Sequence, residues 1–202
     1  MQEFGLIDWL RNKEAQGPVR VIEIGGGYGG LGYFLGQISD NIYYVNCDLT
    51  VSLYFAATYL SEVVGHDKVV IYDGNNPEIL MQGSEARYVC LPNHFFDHLL
   101  GQTFDIAINT MSFIEMPVSV VDHYAQGLKS LLMPEGILFE QNYFFLPPDA
   151  PPTWSEPRAI IQKYFKYKLG MDRKSYWGIP NLWFNHIPVE LLTASKSPFH
   201  KS

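Results

Sequence analysis

The chain has 202 residues and a formal net charge of −7, with 47% hydrophobic and 17% charged residues. This composition excludes an intrinsically disordered chain, and the negative charge argues against a nucleic-acid-binding or anionic-membrane surface. The length fits one domain, no apolar run is long enough to span a bilayer, and the amino terminus lacks the pattern of a signal peptide.

The first predicted elements are an amphipathic helix over residues 4–13 and a short strand that contains Val21, Ile22 and Ile24. The β-branched residues of this short apolar strand are typical of a buried parallel strand. A glycine turn follows, and then a helix over about residues 31–38 whose amino end points at the turn. Because glycine lets the backbone turn tightly and approach a ligand, this stretch is a candidate binding site.

Two ligand classes fit the glycine turn. Gly25, Gly27 and Gly30 satisfy the dinucleotide pattern, which is a weak signal because glycine is abundant in this chain. Glu23 followed by Gly25, Gly27 and Gly29 satisfies the acidic-x-Gly-x-Gly-x-Gly pattern of S-adenosylmethionine-dependent methyltransferases. A carboxylate beside the turn attracts a sulfonium or ammonium group and repels a pyrophosphate. Glu23 therefore favours S-adenosylmethionine, and the simpler alternative is a turn that binds nothing.

Asp48 ends the second predicted strand, which covers residues 42–47. A carboxylate at the carboxyl end of this strand accepts both hydroxyl protons of an adenosine ribose, and Leu49 is placed to pack on the adenine. The alternative is that Asp48 caps the next helix, with Thr50 as a competitor. That helix is predicted over residues 51–64, with an apolar face made of Leu53, Phe55, Ala56, Ala57, Tyr59, Leu60, Val63 and Val64.

The third core strand has two candidates, residues 69–72 and residues 87–91. The second candidate is favoured because it places Asn93 at the ligand-bearing edge of the sheet, and residues 69–72 then form an extra strand. His94 and His98 would share one face of a helix. Since no third ligand lies nearby, they are predicted to be surface residues, and no metal site is expected.

The fourth predicted strand covers residues 103–109, and the loop after it, residues 109–117, is the second informative segment. A helix over residues 118–132 and a fifth strand over residues 137–142 continue the alternation of strands and helices. This alternation predicts an α/β fold with a Rossmann-like, doubly wound and mostly parallel sheet. A ligand is expected at its carboxyl edge, beside the first strand.

A single domain over residues 1–202 is predicted, with its core in residues 19–145. Residues 146–152 form a stiff, proline-rich connector, and an aromatic-rich C-terminal part covers residues 153–202. Candidates for the last strands of the sheet are residues 160–169 and 182–187. Aromatic residues of this part that belong either to the core or to a sugar-stacking surface are Trp154, Tyr176, Trp177 and Trp183.

Cys47 and Cys90 are the only cysteines of the chain, and each lies in a predicted strand. They predict buried free thiols in a reducing compartment rather than a disulfide or a metal pair. A cytoplasmic protein is therefore expected.

Residues 19–145 resemble the S-adenosylmethionine-dependent methyltransferases and, within them, the bacterial sugar O-methyltransferases. The segments that carry this resemblance are residues 22–31, Asp48-Leu49 opening a long helix, and residues 104–116, of which the last is the most distinctive. The resemblance implies S-adenosylmethionine as the cofactor and a sugar, glycan or other small-molecule hydroxyl as the acceptor. The cofactor-binding residues that it implies are Glu23, Gly25, Gly27, Asp48, Leu49, Asn109 and, at the adenine edge, Asn93.

O-methylation moves a methyl group from sulfonium to oxygen, so it requires positioning and a base for the hydroxyl proton. Glu115 lies on the loop that faces the methyl group in this fold, and it is the predicted base or orienting group. Its alternative role is to stabilise the dipole of the following helix. His123 and His186 are weaker candidates for the base, and Asn142 and Ser112 are predicted to contact the acceptor.

Two other hypotheses remain open on the sequence alone. An NAD-dependent oxidoreductase with a Rossmann fold would use the glycine turn and Asp48, but it leaves Glu23 and residues 109–116 unexplained. A non-catalytic domain that binds S-adenosylmethionine or a partner is the third hypothesis.

Overall fold

The structure, a computed structural model, describes residues 5–81, 86–142, 156–170, 179–186 and 200–201. Its helices in these ranges are α1 (Leu6–Glu14), α2 (Gly30–Ile38), α3 (Thr50–Val64), α4 (Val118–Leu131) and α5 (Pro157–Ile161). Its strands there are β1 (Val19–Ile24), β2 (Ile42–Asp48), β3 (Val69–Ile71), β4 (Tyr88–Pro92), β5 (Phe104–Thr110), β6 (Leu132–Asn142), β7 (Tyr167–Gly170), β8 (Ile179–Phe184) and β9 (His200–Lys201). Short 3-10 helices cover His66–Lys68, Pro77–Leu80, Asn93–Leu99 and Phe113–Glu115.

All these strands join one sheet in the order β3-β4-β2-β1-β5-β6-β8-β7-β9. The strands from β3 to β6 pair in parallel, whereas β8, β7 and β9 add antiparallel pairs beyond β6. The chain runs outward from β1 through β2 and then returns to β5 on the other side of β1. This reversal creates a crevice at the carboxyl ends of β1 and β5, where such sheets bind ligands. The predicted Rossmann-like, mostly parallel α/β sheet is confirmed.

The strand register brings the predicted site residues to one edge. Ile24, the last residue of β1, is level with Cys47 on β2 and with Asn109 on β5. Asp48 is level with Pro92 on β4. The glycine turn therefore leaves the sheet between the ends of β2 and β5.

The central strands are buried along their length, since β1 and β4 expose none of their residues. One cluster of buried side chains joins α1, α2 and α3 to the sheet, and another joins α4 and α5 to it. Burial on both sides of the sheet explains why β1 and β2 are nearly continuous apolar runs rather than alternating patterns. No helix in the described ranges is long and apolar enough to cross a membrane.

The favoured third strand is confirmed, because β4 pairs directly with β2 while β3 is an extra strand at the edge of the sheet. The strand predicted over residues 160–169 is wrong in its first half. Residues 157–161 instead form α5, whose Ile160 and Ile161 are buried, and only β7 remains extended. The predicted strand over residues 182–187 corresponds to β8, which begins earlier and ends at Phe184.

The apolar face predicted for α3 is too broad. Leu53, Ala56 and Leu60 are buried, but Phe55 is 67% exposed and Val63 is 42% exposed. The buried residues follow a narrow stripe at helical spacing, because only one side of the helix contacts the sheet. The proline-rich connector and Trp154, Tyr176 and Trp177 lie outside the described residues.

Candidate functional site

The glycine turn after β1 depends on backbone angles that favour glycine. Gly25, Gly27 and Gly29 have φ values of 74°, 54° and 83°. A Cβ on Gly25 would lie 2.2 Å from Oγ of Ser112, whereas no atom lies within 4 Å of a Cβ built on Gly27. The turn is thus held closely against the loop after β5 at its first glycine and is open above Gly27.

Asp48 bends back onto this turn. Its Oδ2 accepts a hydrogen bond of 2.7 Å from the Gly27 backbone N–H, and its Oδ1 accepts one of 2.6 Å from Leu49 N–H. The helix-cap alternative for Asp48 is wrong, because α3 begins at Thr50 and has no side-chain cap. Leu49 is 61% exposed beside the turn. The carboxylate and the apolar side chain therefore both border the open space above Gly27.

Glu23 lies under the turn and is only 2% exposed. The Tyr44 hydroxyl donates a hydrogen bond to its Oε2, and the side chain of Thr110 also bonds to it. Burial raises the pKa of Glu23 to about 7; the bond from Tyr44 opposes this rise, and the charge of Asp48 adds to it. Among the described residues, no lysine or arginine forms an ion pair with Glu23 or Asp48. Two carboxylates without a countercharge make this edge of the sheet attractive to a cation.

Asn46 is a site residue that the sequence interpretation missed. It is fully buried in β2, its Oδ1 accepts a hydrogen bond of 3.2 Å from Gly26 N–H, and its Nδ2 donates one of 3.2 Å to the Gly27 carbonyl. These two hydrogen bonds hold the backbone of the turn against β2. The available signal was one amide side chain inside an otherwise apolar strand, where a buried polar group needs partners.

Asn109, for which a role at the cofactor was predicted, uses its side chain in hydrogen bonds within the protein. It is fully buried, its Nδ2 donates hydrogen bonds to the Ile24 carbonyl (3.0 Å) and to Ser112 Oγ, and its Oδ1 accepts one from Phe113 N–H (3.3 Å). Ser112 is half-buried, and its hydroxyl donates a 2.9 Å hydrogen bond to the Ile24 carbonyl. Both side chains therefore tie the loop after β5 to the end of β1. Met111, between them, has a φ of 62°, a conformation that non-glycine residues rarely adopt.

Asn142, which was predicted to contact the acceptor, also forms hydrogen bonds within the protein. It is fully buried, its Nδ2 donates hydrogen bonds to Asn109 Oδ1 (2.9 Å) and Glu140 Oε1 (2.8 Å), and its Oδ1 accepts one from Ile114 N–H (3.2 Å). The polar atoms of this side chain are thus bonded within the protein, and its contact with an acceptor stays a prediction. Trp183 is likewise 1% exposed in the core, so the sugar-stacking hypothesis is wrong for this residue.

Glu115 lies at the end of the 3-10 helix Phe113–Glu115, in the segment after β5, and it is exposed to solvent. On the other side of the crevice, Asn93 begins the 3-10 helix after β4 and is half-buried. The side chain of Asn93 bonds to the hydroxyl of Tyr124, which also contacts the buried thiol of Cys47. Glu115 and Asn93 are therefore accessible from the carboxyl edge of the sheet.

The histidines considered as candidate bases or metal ligands lie at the surface. His123 Nε2 lies 3.1 Å from Asp97 Oδ1, with both side chains more than half exposed, and His98 Nδ1 lies 2.9 Å from the Tyr72 hydroxyl. His186 is exposed just after β8. Within the described ranges, no group of three or more His, Cys, Asp or Glu side chains is arranged to hold a metal ion. Cys47 and Cys90 are buried free thiols, as predicted.

No protein-family model matches the chain, and no curated protein matches it. Solved structures do match it. Magnesium protoporphyrin IX methyltransferase from Synechocystis PCC 6803 with bound S-adenosylmethionine is 17% identical with a TM-score of 0.56, over 91% of this chain and 78% of that one. An O-methyltransferase family protein from Burkholderia thailandensis is 12% identical with a TM-score of 0.58, over 84% of this chain and 51% of that one.

A candidate O-methyltransferase from Nostoc punctiforme PCC 73102 is 13% identical with a TM-score of 0.60, over 82% of this chain and 52% of that one. The chain thus spans about half the length of the Burkholderia and Nostoc proteins. At these identities the likeness concerns the fold. The chain has the Rossmann-like fold of S-adenosylmethionine-dependent methyltransferases.

Proposed function

We propose that the chain binds S-adenosylmethionine and transfers its methyl group to an oxygen atom of a small molecule, with a sugar or glycan hydroxyl as the acceptor. The observation that carries the proposal is the carboxylate pair around the glycine turn. Asp48 bonds to Gly27 N–H at 2.7 Å, and Glu23 is buried directly below the turn. Similar folds have been solved with S-adenosylmethionine and S-adenosylhomocysteine, which supports the same ligand here.

The residues around the turn fit this cofactor. Each Asp48 oxygen accepts one backbone hydrogen bond and keeps a further lone pair for a ribose hydroxyl. Leu49 offers an exposed apolar surface to the adenine, and Asn93 offers a polar edge. The negative charge of Glu23 and Asp48 suits the ammonium and sulfonium groups, and the absence of a side chain at Gly27 leaves room above the turn.

The chemical role of the chain is then mainly one of position. S-adenosylmethionine supplies an electrophilic methyl group, and the protein must align it with a hydroxyl and exclude water. Glu115 is exposed just beyond the loop after β5, so its carboxylate is accessible to an acceptor. We assign it the role of accepting the hydroxyl proton as the new carbon–oxygen bond forms.

The choice of acceptor rests on the resemblance of residues 104–116 to sugar O-methyltransferases, since Asn142 and Trp183 are both buried. The oxidoreductase hypothesis is disfavoured because the Glu23 carboxylate beside the turn, when ionised, would repel the pyrophosphate of NAD. A non-catalytic domain that binds S-adenosylmethionine is the alternative that only turnover can exclude.

Two measurements test the proposal in sequence. Calorimetric titration of the purified chain with S-adenosylhomocysteine and with NAD is expected to give binding of the first only. Transfer of a labelled methyl group to a panel of glycans and other small hydroxyl compounds then identifies the acceptor class. Binding of NAD instead would support the oxidoreductase. Binding of S-adenosylhomocysteine without transfer to any acceptor would support the non-catalytic domain.

A further inference from the structure

Glu140, in the middle of β6, is a fully buried acid for which the proposed chemistry has no direct use. The groups that contact it are donors. Asn142 Nδ2 donates to its Oε1 at 2.8 Å, and Asn181 Nδ2 donates to its Oε2 at 2.9 Å. Arg158 Nε lies 3.5 Å from Oε2. Burial raises the pKa of Glu140, whereas Arg158 and the amide donors oppose this rise and favour the ionised carboxylate, which only accepts hydrogen bonds.

This acceptor determines the orientation of the neighbouring amide. Asn142 has two side-chain N–H groups; one is used by Glu140, and the other donates to Asn109 Oδ1 at 2.9 Å. The side-chain carbonyl of Asn142 accepts a hydrogen bond of 3.2 Å from the Ile114 backbone N–H. Rotating the amide by half a turn would place a carbonyl against a carboxylate and an N–H against an N–H. Glu140 therefore fixes which way Asn142 points.

The orientation of the Asn142 amide in turn fixes the orientation of the Asn109 amide. Because Asn109 Oδ1 accepts from Asn142 and from Phe113 N–H, its Nδ2 must face the Ile24 carbonyl at 3.0 Å and Ser112 Oγ. Ile24 is the last residue of β1 before the glycine turn. A continuous, directional series of hydrogen bonds thus connects a buried acid on β6 to the loop after β5 and to the start of the turn.

We propose that Glu140 is a positioning residue that holds residues 110–116, with Ser112 and Glu115, in register with the glycine turn. The inference rests on the proposed function insofar as the turn binds S-adenosylmethionine. The C-terminal part of the chain takes part, because Asn181 comes from β8 and Arg158, on α5, also donates from Nη2 to the backbone carbonyl of Asn142 at 3.1 Å. The elements that follow β6 in the chain, β8 and α5, therefore help to hold the loop after β5 in place.

The test uses Glu140→Gln, which keeps the size of the side chain but turns one acceptor oxygen into a donor. The new NH2 group then faces the donor of either Asn142 or Asn181, so the Asn142 amide loses the fixed acceptor that set its orientation. We expect about tenfold weaker S-adenosylhomocysteine binding by calorimetry and faster hydrogen exchange in peptides covering residues 110–116. Tyr43→Phe is the control, since it removes a partly buried hydrogen bond (2.8 Å, to the Ile79 carbonyl) and the contact with Arg20 near the opposite end of β2, and it should change neither readout.

A double variant separates positioning from general destabilisation. If Glu140 acts through Asn142, then Glu140→Gln should weaken binding no further in an Asn142→Ala background. If Glu140→Gln does not fold, Arg158→Gln removes the countercharge instead and should change both readouts in the same direction.

Wild-type affinity and wild-type exchange in Glu140→Gln would overturn the inference, and so would fully additive effects in the double variant. If the wild-type chain does not bind S-adenosylhomocysteine, the proposed function fails. Faster exchange in residues 110–116 of Glu140→Gln would still support the ordering of the loop, and unchanged exchange would reject it.

Discussion

The buried acid under the glycine turn makes the stability of the ligand-free protein depend on pH. Burial raises the pKa of Glu23 from 4.5 to about 7, so the folded protein holds this proton more tightly than the unfolded chain does. Stability from this group is fully present below about pH 4.5 and is lost as the pH rises through about 7. At about 1.4 kcal/mol per pKa unit, the full loss is about 3 kcal/mol.

Glu23→Gln removes this dependence while keeping the size of the side chain and an acceptor for the Tyr44 hydroxyl. Urea unfolding of both proteins without ligand, at several values between about pH 5 and about pH 8, gives the free energy of unfolding. Relative to the variant, the wild type is expected to lose about 2 to 3 kcal/mol across this range. Comparing the two proteins cancels the titration of the groups that do not interact with Glu23.

Tyr44→Phe provides a second check, because the Tyr44 bond opposes the rise in the pKa of Glu23. Without that hydroxyl the pKa should rise further, and the loss of stability should extend to higher pH. Parallel curves for the wild type and Glu23→Gln would refute the reasoning, since they would mean that Glu23 has the same pKa in the folded and unfolded states.

The other predictions concern ligand binding and turnover. Asp48→Ala should weaken S-adenosylhomocysteine binding at least about tenfold, or about 1.4 kcal/mol, and unchanged calorimetric affinity would reject the ribose role. Glu115→Gln should slow methyl transfer without changing that affinity, and a wild-type rate would exclude Glu115 as the base. Gly25→Ala should lower the free energy of unfolding more than Gly27→Ala, because only its Cβ would meet Ser112, at 2.2 Å; equal losses would contradict this. Gly27→Ala should mainly weaken binding, by filling the open space, so wild-type affinity would place the ligand elsewhere.

The sequence predicted the parallel sheet and the glycine turn because both are local patterns. The apolar runs of β1 and β2 and the spacing from Glu23 to Gly29 require no knowledge of distant partners. The position of Asp48 beside the glycine turn followed from a general rule, since the carboxyl ends of neighbouring parallel strands lie at the same edge of a sheet.

Asn109 and Asn142 could not be assigned in this way. An asparagine at the end of a strand has the same sequence signature whether it faces a ligand or a neighbouring strand. The orientation of the Asn142 amide depends on Glu140. The partners of Glu140 come from β8 and α5, which lie far along the chain. The residues after the fifth core strand lack the regular alternation that predicted the rest, so the last strands were placed only in part, and their antiparallel pairing and polar contacts were not predicted.

The cost of burying Glu23 and the proposed binding of a cation are two consequences of one arrangement. At neutral pH, the ligand-free protein either keeps a proton on Glu23 or holds a second carboxylate near Asp48 without a countercharge. A ligand with ammonium and sulfonium groups removes this conflict, because it lowers the pKa of Glu23 and favours its ionised form. A dinucleotide would increase the conflict instead. The acid that makes the free turn less stable therefore also explains why this turn should prefer a positively charged nucleoside to NAD.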